Sequence, residues 1–573
     1  MNNKLLVFAF AVVLISGCSV KQIKATEQTP VPHRYEADYY YIRGYEAYLD
    51  YQWDEALTNY RKALEFDPDS PFLQMQLSYA LYHSGDTEGA LANAEKILKQ
   101  APDNIPALTF VANVYNTQKR RVEAAELLKK VLAIDPTDDD AGLLLGRIYY
   151  QDDRVDEAVA AFNNVLKNDP DNYTALDYLG SLYIDRKDYD KAEEYLKKTI
   201  EARPEFDAPY FKLGIIYELD NRLDAAAQYY EKAIALNPHN NQAKERLAQV
   251  YLKQKSIGRA IGELRNLSSD QPENMDLHVR IGLLYFESSD YEKALEEFGS
   301  ALKINTGNIQ VRYYYALTLE ELERFPEAVS ELKKIVFEEP KNVNAFLHLA
   351  YIYTRTDRDS DAVRIYDEIL EFNREMPEIY IYLSNAHLRL KEYNKAEAVL
   401  RDALSRFAAN DQIHYNLAVV YEKTGSFDDM VLQLRKALEL NPDNVDALNF
   451  LGYSFADKGL NLDEAESLIK RALELKPDSG YILDSLGWIY YKQEKYADAL
   501  DAIKKAAEVT ADDPVILEHL GDVYLALKDP EKALGTWEKA LKYHEKEEGF
   551  KEKIEKKITD LKHKNPKTKK DGQ

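Results

Sequence analysis

Pro68, Pro102, Pro136, Pro170, Pro204, Pro238 and Pro272 are separated by one constant interval, kept six times in succession without a slip. A chain that repeats at a fixed period is not parsed into domains by its length. Each repeat is one supersecondary unit that must stack on neighbours to bury its apolar face. Counting on by the same interval gives Thr306, Pro340, Arg374, Ala408 and Pro442, and one inserted residue near 457–463 moves the next proline to Pro477.

With the proline set at position 32, the repeat has further order inside it. Position 8 is small, as in Gly44, Ser78, Ala112, Gly146, Gly180, Gly214 and Ala248. Position 11 is usually aromatic (Tyr115, Tyr149, Tyr183, Tyr217, Tyr251), and position 20 is alanine from Ala56 to Ala533 except at Met430. Position 24 is bulky (Tyr60, Phe162, Tyr230, Phe298, Trp537), and position 27 is small or β-branched (Ala63, Val131, Ala233, Ala437). Offsets of three, four and seven place these residues on one stripe of each of two helices. Small residues belong where helix axes approach, and large ones fill the space beside them. Of the prolines inside the array, ten end a repeat. Pro71, Pro106, Pro209, Pro377 and Pro514 fall in its first three positions, and Pro326 and Pro530 fall where a second helix begins. No proline lands in a helix interior, where it would cost ~3 kcal/mol.

This order of small, aromatic, small and proline positions at this period resembles the tetratricopeptide repeat (TPR). The resemblance implies an all-α, right-handed superhelical solenoid of about fifteen helix-turn-helix repeats over residues 37–547. Its weakest fits are the first repeat, at Arg43 and Ala47, and Met430. In 548–573 a stripe of Phe550, Ile554, Ile558 and Leu561 on a Lys/Glu-rich segment reads as a basic capping helix and tail. Where Thr306, Arg374 and Ala408 replace the proline, a less sharp turn is expected. The insertion around Gly459 marks a longer loop.

The N-terminus reads differently. Lys4 precedes an apolar run from Leu5 to Ile15, about half the length a spanning helix needs, so a removable signal peptide at 1–17 is preferred. Leu14-Ile15-Ser16-Gly17-Cys18 resembles the lipobox of bacterial lipoproteins, with Cys18 the only cysteine. By that resemblance Cys18 is the acylated first residue of the mature chain. Ser19 in place of Asp favours the outer membrane, and residues 18–36 form a polar tether. A single cysteine leaves no disulfide within the chain.

The net charge of −25 argues against nucleic acid as a partner. No catalytic constellation is recognisable. His544-Glu545 lacks the second histidine of a zinc helix, and there is no phosphate loop or nucleophile elbow. Asp138-Asp139-Asp140 and Asp512-Asp513 read as helix N-terminal charge. No cofactor or metal is called for, and the chain is expected not to be an enzyme.

In proteins with such repeats the first helices line a concave groove. Here that face offers Tyr41, Tyr45, Tyr48, Phe72, Met75, Tyr79 and Tyr82 at one end. Thr109, Asn113, Asn116, Arg147, Asp177 and Ser181 follow in the middle, then Tyr453, Tyr481, Asp484, Trp488 and Tyr491. Asn113, Asn116 and Arg147 offer polar groups to a peptide carboxylate, although no paired lysines accompany them. The expected function is a lipid-anchored scaffold that assembles envelope complexes by binding other proteins or extended peptides. The alternative is a polysaccharide-export or secretion scaffold contacting glycan or an outer-membrane porin, with Tyr481, Trp488 and Tyr491 as sugar-stacking residues.

Overall fold

The computed structural model describes residues 34–546 and 549–564. Cys18, the signal segment, the tether up to residue 33 and the tail from residue 565 lie outside them. Among the described residues every regular element is a helix, and the helices come in consecutive pairs. Pro71–His83 pairs with Thr87–Gln100, Ile105–Thr117 with Arg121–Ile134, and Asp139–Gln151 with Val155–Asn168. These pairs start at positions 1 and 17 of the repeat, a register still kept by Pro514–Ala526 and Pro530–Ala540. The first helix, Arg34–Leu49, instead begins three residues early and takes in residues 34–36 of the expected tether.

Local chemistry explains these boundaries. Most first helices are capped by the residue two after the proline position. Ser70, Asn104, Asp138 and Asn172 accept a hydrogen bond from the backbone N–H three residues on. Asp138 is thus a cap, with Asp139 and Asp140 in the first turn it begins. Pro71, Pro106, Pro377 and Pro514 occupy the first two positions of first helices, and Pro326 and Pro530 do so in second helices. A missing N–H costs nothing there.

First helices end in a left-handed residue at position 15, which is glycine only at Gly85, Gly425 and Gly459. Elsewhere it is a residue such as Lys119, Asp153 or Glu323. The N–H of the following residue reaches back five, as from Arg120 to the Tyr115 carbonyl at 2.8 Å, which closes a Schellman turn. The arginine that opens the second helix has no side-chain cap to offer. Its guanidinium lies over the position-11 ring instead, Arg120 over Tyr115 at 3.6 Å and Arg154 over Tyr149 at 4.4 Å.

The position-20 alanines are fully enclosed, and Met430 is buried in the same place. Five aromatic residues at position 24 lie against a glycine at position 8. A Cβ on Gly44, Gly146, Gly214, Gly282 or Gly521 would come within 2.3–2.7 Å of Tyr60, Phe162, Tyr230, Phe298 or Trp537. Where position 8 is alanine, position 24 is leucine, as in Ala112 with Leu128 and Ala316 with Leu332, except that Ala350 is paired with Tyr366.

The connections without proline keep their length, as in 305–308 and 407–410. In the loop after Phe372 the cap position is Met376, which, like Phe206 after Pro204, makes no side-chain cap hydrogen bond. The inserted residue falls in the turn between Val445–Lys458 and Leu462–Leu475, where Gly459 and Asn461 are both left-handed.

The chain divides into two compact units, one ending at Gln271 and the other beginning at Pro272. The first has a continuous run of helix pairs whose cores are built from the positions named above. The second continues the pattern to Pro530–Ala540. It then adds the helix Phe550–Lys564, whose Phe550, Ile554, Ile558 and Leu561 are buried with Leu517, Ala533 and Trp537. Lys553 and Lys557 of that helix donate to the buried Glu518 carboxylate at 2.8 and 2.5 Å, and Lys557 also donates to Asp522. No described helix is long and apolar enough to cross a membrane.

Candidate interaction surface

First helices use positions 3, 7, 8, 10 and 11 for packing. Positions 2, 5, 9 and 12 are at least partly open in most repeats, although Met75, expected on this face, is buried in the core, and their chemistry changes along the chain. In the first three repeats they are aromatic or uncharged, apart from Asp38. Tyr41 stacks on Tyr45 and meets the edge of Phe72 at 5.1 Å. Tyr48 meets Trp53 and His83, and Tyr79 and Tyr82 both meet Phe110. Tyr41, Tyr48, Tyr79 and Tyr82 are half-buried in this cluster, whereas Tyr45 and Phe72 are exposed. Tyr60 lies beneath it, and burial first, then the neighbouring Tyr41, Tyr48 and Tyr45, raises its phenol well above the usual range.

Farther along, the same positions mix apolar and polar residues with a few acids that the following repeat pairs. Asn113 spends an amide hydrogen on the Thr109 carbonyl of its own helix, and Oδ1 of Asn116 is enclosed. The polar trio proposed for a carboxylate is thus partly committed to local bonds, with Asn113 and Arg147 exposed and Asn116 half-buried. Asp177 accepts both Lys212 contacts at 2.7 Å. Glu218 is nearly enclosed and accepts from Tyr230, Arg246 and Lys253 at 2.9, 3.2 and 2.8 Å. Burial alone would raise the Glu218 carboxyl, but these partners hold it below the ordinary carboxylate range.

In the second unit, Tyr481 is 61% exposed, but Trp488 is buried. The indole is sandwiched between Tyr491 at 4.8 Å and His519 at 4.0 Å, both nearly parallel to it. With both faces covered, Trp488 cannot stack on a sugar. The expectation that it lines an open groove is corrected here, because the next repeat supplies a ring that a single helix could not reveal. Asp484 is likewise internal, its carboxylate 2.8 Å from Nδ1 of His519. Tyr453 lines a cavity of about 200 Å³ with Tyr421, Phe427, Met430 and Phe450.

Another cavity was not foreseen. About 450 Å³ of space is lined by Glu320, Leu347, His348, Tyr351, Tyr366 and Tyr382. The sequence does carry a signal for it. Tyr366 is a position-24 aromatic facing Ala350 rather than glycine, so its ring lacks the slot that Tyr60 and Tyr230 occupy. It packs 6.0 Å from Tyr382 of the following repeat and so becomes a cavity wall.

Comparison with known proteins finds the same repeat. Profiles described as tetratricopeptide repeat match residues 47–114, 115–179 and 218–278. Others of that description match 179–241, 431–480 and 485–546, and also 411–444. A profile of the psidin N-terminal TPR repeats region matches 284–401. The chain belongs to the tetratricopeptide repeat family. A TPR repeat-containing protein of Pseudomonas aeruginosa is 28% identical over 122 residues, which are 21% of this TPR chain and 21% of that protein. The match thus spans about a fifth of the relative's length.

Among solved structures, the APC/C hetero-tetramer Cut9–Hcn1 has a chain 17% identical, with a TM-score of 0.36 over 92% of this chain and 96% of that one. Yeast Tom70 is 18% identical, with a TM-score of 0.34 over 87% and 95%. MamA is 28% identical, with a TM-score of 0.28 over 29% and 97%. A TPR solenoid is a protein-interaction fold.

Proposed function

We propose that this TPR chain is a lipid-anchored adaptor of a bacterial envelope, held in the outer membrane by Cys18 and facing the periplasm. One observation carries the adaptor reading: packing positions stay constant while positions 2, 5, 9 and 12 vary, from the aromatic first repeats through a mixture of apolar, polar and acidic residues to Tyr481, Trp488 and Tyr491. A surface differentiated in this way suits several partner segments bound by equilibrium contacts on a pre-formed scaffold. The anchor is supported by Leu14-Ile15-Ser16-Gly17-Cys18 after an apolar run of signal-peptide length. Acylation would confine the search for partners to the membrane surface and raise their effective concentration.

Mass spectrometry of membrane-extracted protein tests this reading. The expected product begins at Cys18, carries acyl chains, and loses them in Cys18→Ser. An unmodified chain beginning at Met1 would refute the envelope setting. Tyr481 keeps a polysaccharide-binding alternative in view, since it alone of the three proposed stacking residues is fully exposed. Retention on glycan-containing gels that Tyr481→Ala abolishes would select that alternative.

A further inference from the structure

The cavity around Tyr351 joins aromatic walls to a carboxylate. Glu320 is nearly enclosed, with a side-chain exposure of 11%. Its Oε2 lies 2.9 Å from Nδ1 of His348, and Oε1 takes no hydrogen bond from the described residues. Tyr351 and Tyr382 are each 45% exposed, and Leu347 completes an apolar wall.

The molecule itself shows what this carboxylate position accommodates. Glu320 stands at position 12 of its repeat, as Glu218 does three repeats earlier. Around Glu218, positions 6 and 13 of the following repeat supply Arg246 and Lys253, so the carboxylate is saturated by the chain's own cations. Around Glu320 those two positions are His348 and Arg355. Arg355 turns away, reaching Glu323 and the Tyr351 hydroxyl at 3.4 Å each. The ammonium found at the first site therefore has no counterpart at the second, and a cavity stands beside the carboxylate instead.

We propose that this cavity seats a basic side chain of a partner protein, a lysine foremost, with its ammonium on Glu320 and its methylenes between Tyr351 and Tyr382. Tyrosine faces attract a cation through the ring quadrupole while the stem of the side chain buries against them. The net charge of −25 steers basic partners toward the chain. The proposal deepens the adaptor reading and rests on it, but its test is independent of lipidation.

Saturation-transfer NMR on the full chain compares N-acetyl-lysine methylamide with its uncharged norleucine analogue. The lysine probe is expected to bind at least fivefold more tightly, with saturation strongest at its ε-methylene. Glu320→Gln, which keeps an acceptor for His348, should erase the preference. Tyr351→Ala, at an exposed position, should weaken the lysine probe by a similar factor. Circular dichroism confirms that each variant is folded. Equal binding of the two probes, no binding of either, or a lysine preference that survives Glu320→Gln would each overturn the proposal. An unacylated Cys18 would leave it standing.

Discussion

Glycine in this chain has two opposite meanings, and the distinction is energetic. Gly214 sits where a Cβ would lie 2.5 Å from the Tyr230 ring, whereas Gly262 is an exposed helical residue with nothing within 4 Å of such an atom. Gly214→Ala should therefore destabilise by about 1–3 kcal/mol through overpacking. Gly262→Ala should stabilise by about 0.5–1 kcal/mol through helix propensity. Urea unfolding of both would show the two signs, and two like signs would refute the packing argument.

His519 gives a second test at this scale. Burial disfavours its charged form, but the Asp484 carboxylate, with Glu518 and Asp522 behind it, outweighs burial and raises the imidazole above its ordinary value. The Trp488 and Tyr453 rings complete its surroundings, and Lys557 lies beyond Asp522. A raised folded-state value means stability that is complete below about pH 6.5 and lost as pH rises through the folded value. The penalty of His519→Gln should therefore be larger at pH 6 than at pH 9. Asp484→Asn should cost about 3–5 kcal/mol at pH 6, as expected for a broken buried pair. A penalty that does not change with pH would mean that the imidazole is neutral in the fold.

At the scale of the helix pair, stability comes from the close approach of two axes. Ala192 is fully enclosed in Tyr189–Ala202, opposite Tyr173–Asp185, and a Cβ on Gly180 would already meet Leu196 at 2.6 Å. Ala192→Leu should push the pair apart and cost about 1–3 kcal/mol, read as a lowered melting temperature. Unchanged melting would mean that position 20 does not face its partner helix. The register itself could be read from the sequence, since an alanine recurring once per repeat marks the narrowest part of each pair. The turns were harder to read. Thirteen described residues other than glycine take a positive φ, and nothing in the identity of Lys119 or Glu323 announces it. The Schellman hydrogen bonds, not residue preference, hold them there.

At the scale of the whole molecule, an array is stabilised by nearest neighbours, so its ends need covering. Phe550–Lys564 covers Trp537 and Leu517 and brings Lys553 and Lys557 to the otherwise unpaired Glu518. Truncation after Lys546 should strip amide-exchange protection from 514–540 while leaving the repeats of the first unit unchanged. Unaltered protection at 514–540 would show that the terminal helix is not a cap.

The sequence by itself determined the repeat, its register and the helix pairs, because those depend on short-range periodicity that one chain displays directly. It also marked the face on which side chains are free of packing. The tertiary structure decided which of those side chains are available. Trp488 reads as a surface aromatic within its own helix, yet His519 of the following repeat closes its second face. Tyr366 reads as core and is buried, but its ring also forms one wall of the cavity beside Glu320, where Tyr382 of the following repeat meets it. Burial at a repeat protein's surface is set by the neighbouring repeat, and no periodicity within one helix encodes what that neighbour supplies.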